Sequence, residues 1–143
     1  KKAKSYIYAN KYVPDNLVNL IVGVKLKTNS KGFVIDGYPR SIAQAEFLDR
    51  LFKELGIKLD VVINLDVNKE ELVKRLLERA KEEGRSDDSE EGIRSRIHEY
   101  ETKAKPVIDY YMKKKMVVDI DGDRIVEKVF KDIRQVLDKL VVK

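Results

Sequence analysis

Gly32-Phe33-Val34-Ile35-Asp36-Gly37-Tyr38-Pro39-Arg40 is the stretch whose reading decides the fold. Phe33, Val34 and Ile35 form an unbroken apolar run closed by a carboxylate. Such a run predicts a strand buried on both faces of a parallel sheet. A glycine turn, a proline and an arginine follow, just ahead of a helical pattern. Ligands of open α/β sheets sit at the carboxyl ends of the strands, so Asp36 and Arg40 fall where chemistry is done. Arg40 offers a planar fork suited to anionic oxygens. Two plainer readings stand beside this one. Asp-Gly also marks a hairpin turn, although Pro39 lacks the amide donor that a returning strand needs. Asp36 also suits an ordinary loop or capping role.

Working outward, residues 1–9 read as the tail of a helix, with Tyr6 and Ile7 as apolar contacts. Pro14 and Asp15 suit the first turn of the next helix. Proline loses no hydrogen bond there, and the carboxylate meets the positive end of the dipole. Leu17, Leu20, Ile21 and Val24 recur at i, i+3, i+4 and i+7, which predicts an amphipathic helix to about Lys27. On the other side of the run, Ser41 is a plausible N-cap and Gly56 a terminator. Leu48, Leu51, Phe52 and Leu55 mark one face of the helix between them. Gln44 lies in its first turns, where the bland expectation is an exposed side chain.

Val61-Val62-Ile63-Asn64-Leu65 predicts a second strand and Met116-Val117-Val118-Asp119-Ile120 a third. Asn68 caps a helix whose Leu72, Val73 and Leu76 face inward and whose Arg75 and Arg79 share a face. A further helix from Ser89 carries Ile93, Ile97, Tyr100 and Ala104 on one stripe, with Pro106 expected to end or kink it. Val126, Val129, Phe130, Ile133, Leu137 and Leu140 mark a closing amphipathic helix. This alternation predicts an α/β parallel sheet with flanking helices, as one domain over 1–143.

Apolar residues make up 43% of the chain, enough for a core, and charged residues of both signs 38%, which argues for a solvated surface rather than disorder. The net charge of +5 suits an anionic ligand. Its basic and acidic residues are interleaved, however, which weighs against a nucleic-acid face. There is no cysteine and a single His98, so neither a disulfide framework nor a thiolate or histidine zinc site is expected. No apolar run approaches a membrane span and no signal peptide is visible, so the expected compartment is the cytoplasm.

Gly-Phe-Val-Ile-Asp-Gly-Tyr-Pro-Arg at 32–40, with Gln44 following, resembles the signature of the adenylate kinases. These nucleoside monophosphate kinases exchange a phosphoryl group between ATP and AMP. Gly84-Arg85-Ser86-Asp87-Asp88 and Arg96 extend the likeness. The spacing of Arg79, Arg85 and Arg96 is similar to that of the lid arginines of short-lid members, with the lid at 80–88. Long-lid relatives often carry zinc there; this chain has neither the length nor the ligands.

The resemblance implies a P-loop NTPase-like fold and a set of roles. Asp36 resembles the Walker-B aspartate and would orient Mg²⁺ through water. Lys11, Tyr12 and Val13, within an AMP-binding region at 1–30, would line the AMP pocket with Gly37, Tyr38 and Pro39. Gln44 would read adenine. Arg40, Arg85 and Arg96 would hold the AMP phosphate and the transferring group, and Arg79 the ATP phosphates. Arg124 would contact the ATP base, and Arg75 is a weaker candidate on the phosphate path. The partners implied are ATP, AMP and ADP, with no nucleic acid and no membrane, and a monomer when the protein is complete. No Gly-x-x-x-x-Gly-Lys-Ser/Thr phosphate loop occurs in the chain, and Lys1 is not a methionine. The expectation is therefore a core lacking its N-terminal portion, with the first strand and phosphate loop absent and no turnover of its own. A UMP/CMP-type kinase stays open as an alternative, disfavoured by Gln44. So does a non-catalytic nucleotide- or nucleic-acid-binding basic domain.

Overall fold

The computed structural model describes residues 14–28, 32–82 and 89–141. Lys11, Tyr12, Val13 and Arg85 lie outside the described residues, as does most of the expected lid. The chain divides into two compact units, Lys1–Lys58 and Leu59–Lys143.

In the first unit, α1 spans Asp15–Lys27 and α2 spans Ile42–Leu55. Pro14 occupies the N-cap of α1 with Asp15 in the first turn, and Lys25 and Lys27 sit at the other end, each charge opposing the dipole. Ser41 caps α2 by accepting the Gln44 N–H, and Gly56 ends it in the left-handed conformation at φ 64°. The two helices meet through Gly23 of α1, where a methyl group would lie 3.8 Å from Phe47 and 3.9 Å from Leu51 of α2. Leu26 is the other buried residue of α1. The expected apolar stripe is therefore not the packed one: Leu20, Ile21 and Val24 are exposed.

The run at 33–36 is extended but is not a strand. This corrects the expectation of a strand buried on both faces. A ladder needs a neighbour whose amides and carbonyls are in register, and no strand occurs among the described residues of this unit. Phe33 packs its ring 5.8 Å from that of Phe52, whereas Val34 is 87% exposed.

The second unit runs β1 (Val62–Asp66), α3 (Lys69–Glu82), α4 (Glu90–Met112), β2 (Val117–Asp121) and α5 (Val126–Val141). The strands pair in parallel, with Val62 opposite Val117 and Asp66 opposite Asp121. Each lies one residue later than the apolar pattern suggests. Pairing continues past the last aliphatic residue, and the Gly122 N–H donates to the Asp66 carbonyl at 2.7 Å. Two helices join the parallel strands, so the architecture is α/β, a small parallel sheet with flanking helices.

Val73, Ile93 and Ile97 form the core between α3 and α4, with Leu72, Leu76 and Leu77 packed around them. Burying one such side chain contributes about 1.5–3 kcal/mol. Pro106 neither ends nor interrupts α4, which runs through it as one element. Ala104 before it and Val107 and Tyr111 beyond it keep the stripe buried, while Tyr100 is exposed. α5 forms as expected, but Val126, Phe130 and Leu137 are exposed. No helix among the described residues is long and apolar enough to cross a membrane.

Candidate functional site

In the first unit the site is built on the turn between the extended run and α2. Gly37 adopts φ 70°, a conformation that suits glycine. A methyl group there would also lie 2.9 Å from Arg40 Nη2. Arg40 folds back over the turn, its Nε donating to the Gly37 carbonyl at 2.7 Å. The Tyr38–Pro39 peptide is cis. Tyr38 Oη donates to Asn19 Oδ1 at 2.6 Å, tying the turn to α1. Burial, followed by the charge of Asp15, pushes the Tyr38 hydroxyl up to about 12.

Gln44 is the one buried polar residue among those described, 6% exposed. The plain expectation of an exposed helix glutamine is therefore not met. Its Oε1 accepts the Arg40 backbone N–H at 2.7 Å, and its Nε2 donates to Asp15 Oδ1 at 2.8 Å. Asp15 Oδ2 accepts from Ser41 Oγ at 2.8 Å. A ring of hydrogen bonds thus joins the first residue of α1 to the cap and first turn of α2. The sequence marks Asp15 and Ser41 only as helix-start residues. Their separation along the chain hides the pairing.

Asp36 is an exposed carboxylate at the end of the extended run. Among the described residues no group of three or more His, Cys, Asp or Glu gathers into a metal site. A single carboxylate fits Mg²⁺, which keeps several waters and binds through one or two carboxylates plus substrate phosphates. It does not fit a metal that needs a full protein cage.

In the second unit the candidate arginines differ in their engagements. Arg79 is exposed near the end of α3, and Arg96 is exposed in α4. Arg75 is tied into the fold: Nε pairs with Glu71 at 2.8 Å, and Nη1 and Nη2 donate to the Gly122 and Asp123 carbonyls at 2.8 and 3.3 Å. It clamps the turn after β2. Arg124, on that turn, pairs with Asp121 and with Asp132. Arg94, which the sequence reading passed over, forms a two-pronged pair with Glu70 at 2.9 Å for each bond and a third bond to Glu90 at 2.9 Å. The Arg94 hydrogen bond, and then its charge, hold the Glu70 carboxyl below its usual range. This pair joins the start of α3 to the start of α4. A cleft at the carboxyl edge of the sheet is lined by Asp66, Asn68, Asp119, Asp121 and Asp123, an acidic setting that repels phosphate.

The sequence model of the family described as adenylate kinase matches residues 1–116. An adenylate kinase of Leptospira biflexa is 46% identical over 130 residues, covering 90% of this chain and 70% of the relative. One from Archaeoglobus fulgidus is 39% identical over 169 residues, covering 98% and 78%. Another, from Bacteroides thetaiotaomicron, is 39% identical over 142 residues, covering 98% and 75%. A parallel α/β fold, a glycine turn carrying Asp36 and Arg40, and likeness of this extent agree: the chain belongs to the adenylate kinase family, nucleoside monophosphate kinases within the phosphotransferases.

Proposed function

We propose that this chain supplies the AMP side and the arginine set of a reversible phosphoryl transfer, ATP + AMP = 2 ADP. The observation that carries the reading is the Gly37–Gln44 turn, where the Arg40 guanidinium and the buried Gln44 amide stand close along the chain. In the forward direction an AMP phosphate oxygen attacks the γ-phosphorus of ATP and the β–γ bridging oxygen leaves with ADP. Charge spreads over the equatorial oxygens of the transferring group, and stabilisation comes from positioned cations. Arg40, Arg85 and Arg96 hold the AMP phosphate and the transferring group, and Arg79 the ATP phosphates. Arg40 must first release the Gly37 carbonyl. Lys11, Tyr12, Val13, Gly37, Tyr38 and Pro39 line the AMP pocket, and Gln44 reads adenine. Arg124 meets the ATP base through its backbone, its guanidinium being taken by Asp121 and Asp132. Arg75 acts on the phosphate path only indirectly, by holding the turn that carries Arg124. Asp36 would hold Mg²⁺ through water, and the ion would supply charge neutralisation at the phosphates. The substrates are ATP, AMP and ADP, the working state is a monomer and the setting is cytoplasmic, without nucleic acid; the interleaved surface charges support this.

The test is titration of the 143-residue chain with AMP, CMP and UMP, followed at the backbone resonances of Gly37 and Gln44. AMP should bind the most tightly, and Gln44→Leu should reduce its advantage over CMP by about 1–3 kcal/mol, the cost of an unmatched polar partner. Equal binding of all three would remove base reading; no binding would remove the site. The 143 residues hold no glycine-rich phosphate loop with its own lysine, the device P-loop kinases use to cradle the β- and γ-phosphates. A coupled assay of this chain should therefore read no turnover above a protein-free control.

A further inference from the structure

We propose that Asp15 is a positioning residue that sets base specificity, by fixing which way round the Gln44 carboxamide faces. The inference rests on the reading of Gln44 as the adenine-contacting residue.

A carboxamide has one oxygen and one NH₂ of nearly equal size, so packing alone does not decide its orientation. Here chemistry decides it. An ionised carboxylate only accepts, and a backbone N–H only donates. Asp15 Oδ1 at 2.8 Å therefore demands the NH₂ of Gln44, and the Arg40 N–H at 2.7 Å demands its oxygen. The flipped amide would set two donors against each other at Arg40 and two acceptors against each other at Asp15. Asp15 is itself held, because its second oxygen accepts from Ser41 Oγ. Ser41 Oγ also accepts the Gln44 backbone N–H at 3.2 Å, so the carboxylate is anchored to the same helical turn whose side chain it orients. Burial of Gln44 raises the cost of any mismatched state.

The lock leaves a defined remainder. Nε2 has two hydrogens and Oε1 two lone pairs. Asp15 and Arg40 each take one, so one N–H and one lone pair are left. That remainder suits an edge presenting one acceptor and one donor, as adenine does with a ring nitrogen and its 6-amino group. A 6-oxo purine has an acceptor where adenine has that donor. A locked amide rejects it, whereas an amide free to turn over meets either base. Asp15 thus acts on selectivity from behind the residue that touches the base.

The experiment compares AMP with inosine monophosphate on the full 143-residue chain, as dissociation constants from nuclear magnetic resonance titration. Asp15→Asn keeps the size but removes the charge and offers Gln44 a donor as well as an acceptor. The Arg40 N–H then resists the flip alone. The AMP preference should fall by about tenfold, consistent with loss of one charge-assisted bond. Gly56→Ala is the control: it strains the left-handed C-cap at the far end of α2 and should lower thermal stability while leaving the preference unchanged. A second measurement needs neither nucleotide nor variant. In the wild-type chain one Gln44 side-chain hydrogen should exchange slowly with water and show scalar coupling through the hydrogen bond to the Asp15 carboxylate. Equal weakening of both nucleotides by Asp15→Asn would reduce Asp15 to a structural role and overturn the proposal. So would two fast-exchanging, uncoupled Gln44 hydrogens. A wild-type chain that binds neither nucleotide would instead overturn the assignment of the site, and this proposal with it.

Discussion

Two apolar runs of similar composition meet different fates. Val62-Ile63-Asn64-Leu65-Asp66 is half of a parallel ladder, with each residue opposite a partner in β2. Phe33-Val34-Ile35-Asp36 is extended and pairs with no strand among the described residues. Both end in an aspartate, and both precede a capped helix. Local sequence makes each segment extended; only a neighbour in register makes it a strand. The second unit supplies that neighbour from its own chain, through the α3–α4 crossover. The first unit holds its extended run by different means: a Phe33–Phe52 contact on one side and a hydrogen-bonded turn at the end.

The widest test of this contrast compares residues of equal chemistry in the two settings. Ile120 of β2 is 4% exposed and Val34 is 87% exposed. Ile120→Ala should cost about 2–5 kcal/mol, from lost transfer energy and a residual cavity. Val34→Ala should fall within about 0.5 kcal/mol of the parent. Urea unfolding of both variants checks this. A large loss at Val34 would show that its side chain is covered in solution, and that the two runs are equivalent after all.

A smaller effect is expected where the ladder closes. Gly122 donates to the Asp66 carbonyl, and a methyl group at this position would lie 2.6 Å from Val67 Cγ2 and 3.1 Å from that same carbonyl. Gly122→Ala should therefore cost about 1–3 kcal/mol, the usual range for overpacking. Amide exchange at Val118 and Ile120 should quicken as the strand ends separate. Unchanged exchange would mean that the Val67 side chain swings aside and that the turn is not part of what holds the ladder.

Much of this was legible in the sequence because it depends on neighbours a few residues apart. The Ser41 cap, the Gly56 terminator and the inward face of α3 follow from residue type and helical spacing. The turn at 36–40 was legible as a candidate site, since Asp36, Gly37 and Arg40 crowd a single loop. Four features were not. The fate of Val34 depends on whether a partner strand is present. The continuity of α4 through Pro106 depends on the burial of Ala104 and Val107 on either side, which outweighs the lost helical bond. The Asp15–Gln44 bond joins side chains 29 positions apart, and nothing local in either segment announces it. The role of Arg75 was hidden in the same way, because its turn partners lie 47 and 48 positions away.

The smallest expected effect concerns the turn that serves the first unit in place of a ladder. Tyr38 Oη donates to Asn19 at 2.6 Å, and Tyr38→Phe should cost about 0.5–1.5 kcal/mol near neutral pH, the net value of one hydrogen bond. The pH dependence tests separately whether the hydroxyl is buried beside Asp15. Burial, and then the charge of Asp15, raise the hydroxyl from 10.0 to about 12 in the folded chain. Above pH 10 an unfolded tyrosine loses its proton while the folded one keeps it, so the folded state binds more protons and its stability falls as pH rises. The contribution is complete below about pH 10 and is lost as pH climbs through about 12. The phenylalanine variant lacks this ionisation. Subtracting its urea midpoint from that of the parent at each pH cancels the lysines and other tyrosines that titrate in the same range. The difference should be constant from neutral pH to about pH 10 and then shrink. A difference that stays flat through pH 12 would mean that the Tyr38 hydroxyl is open to water and away from the Asp15 charge in the folded chain.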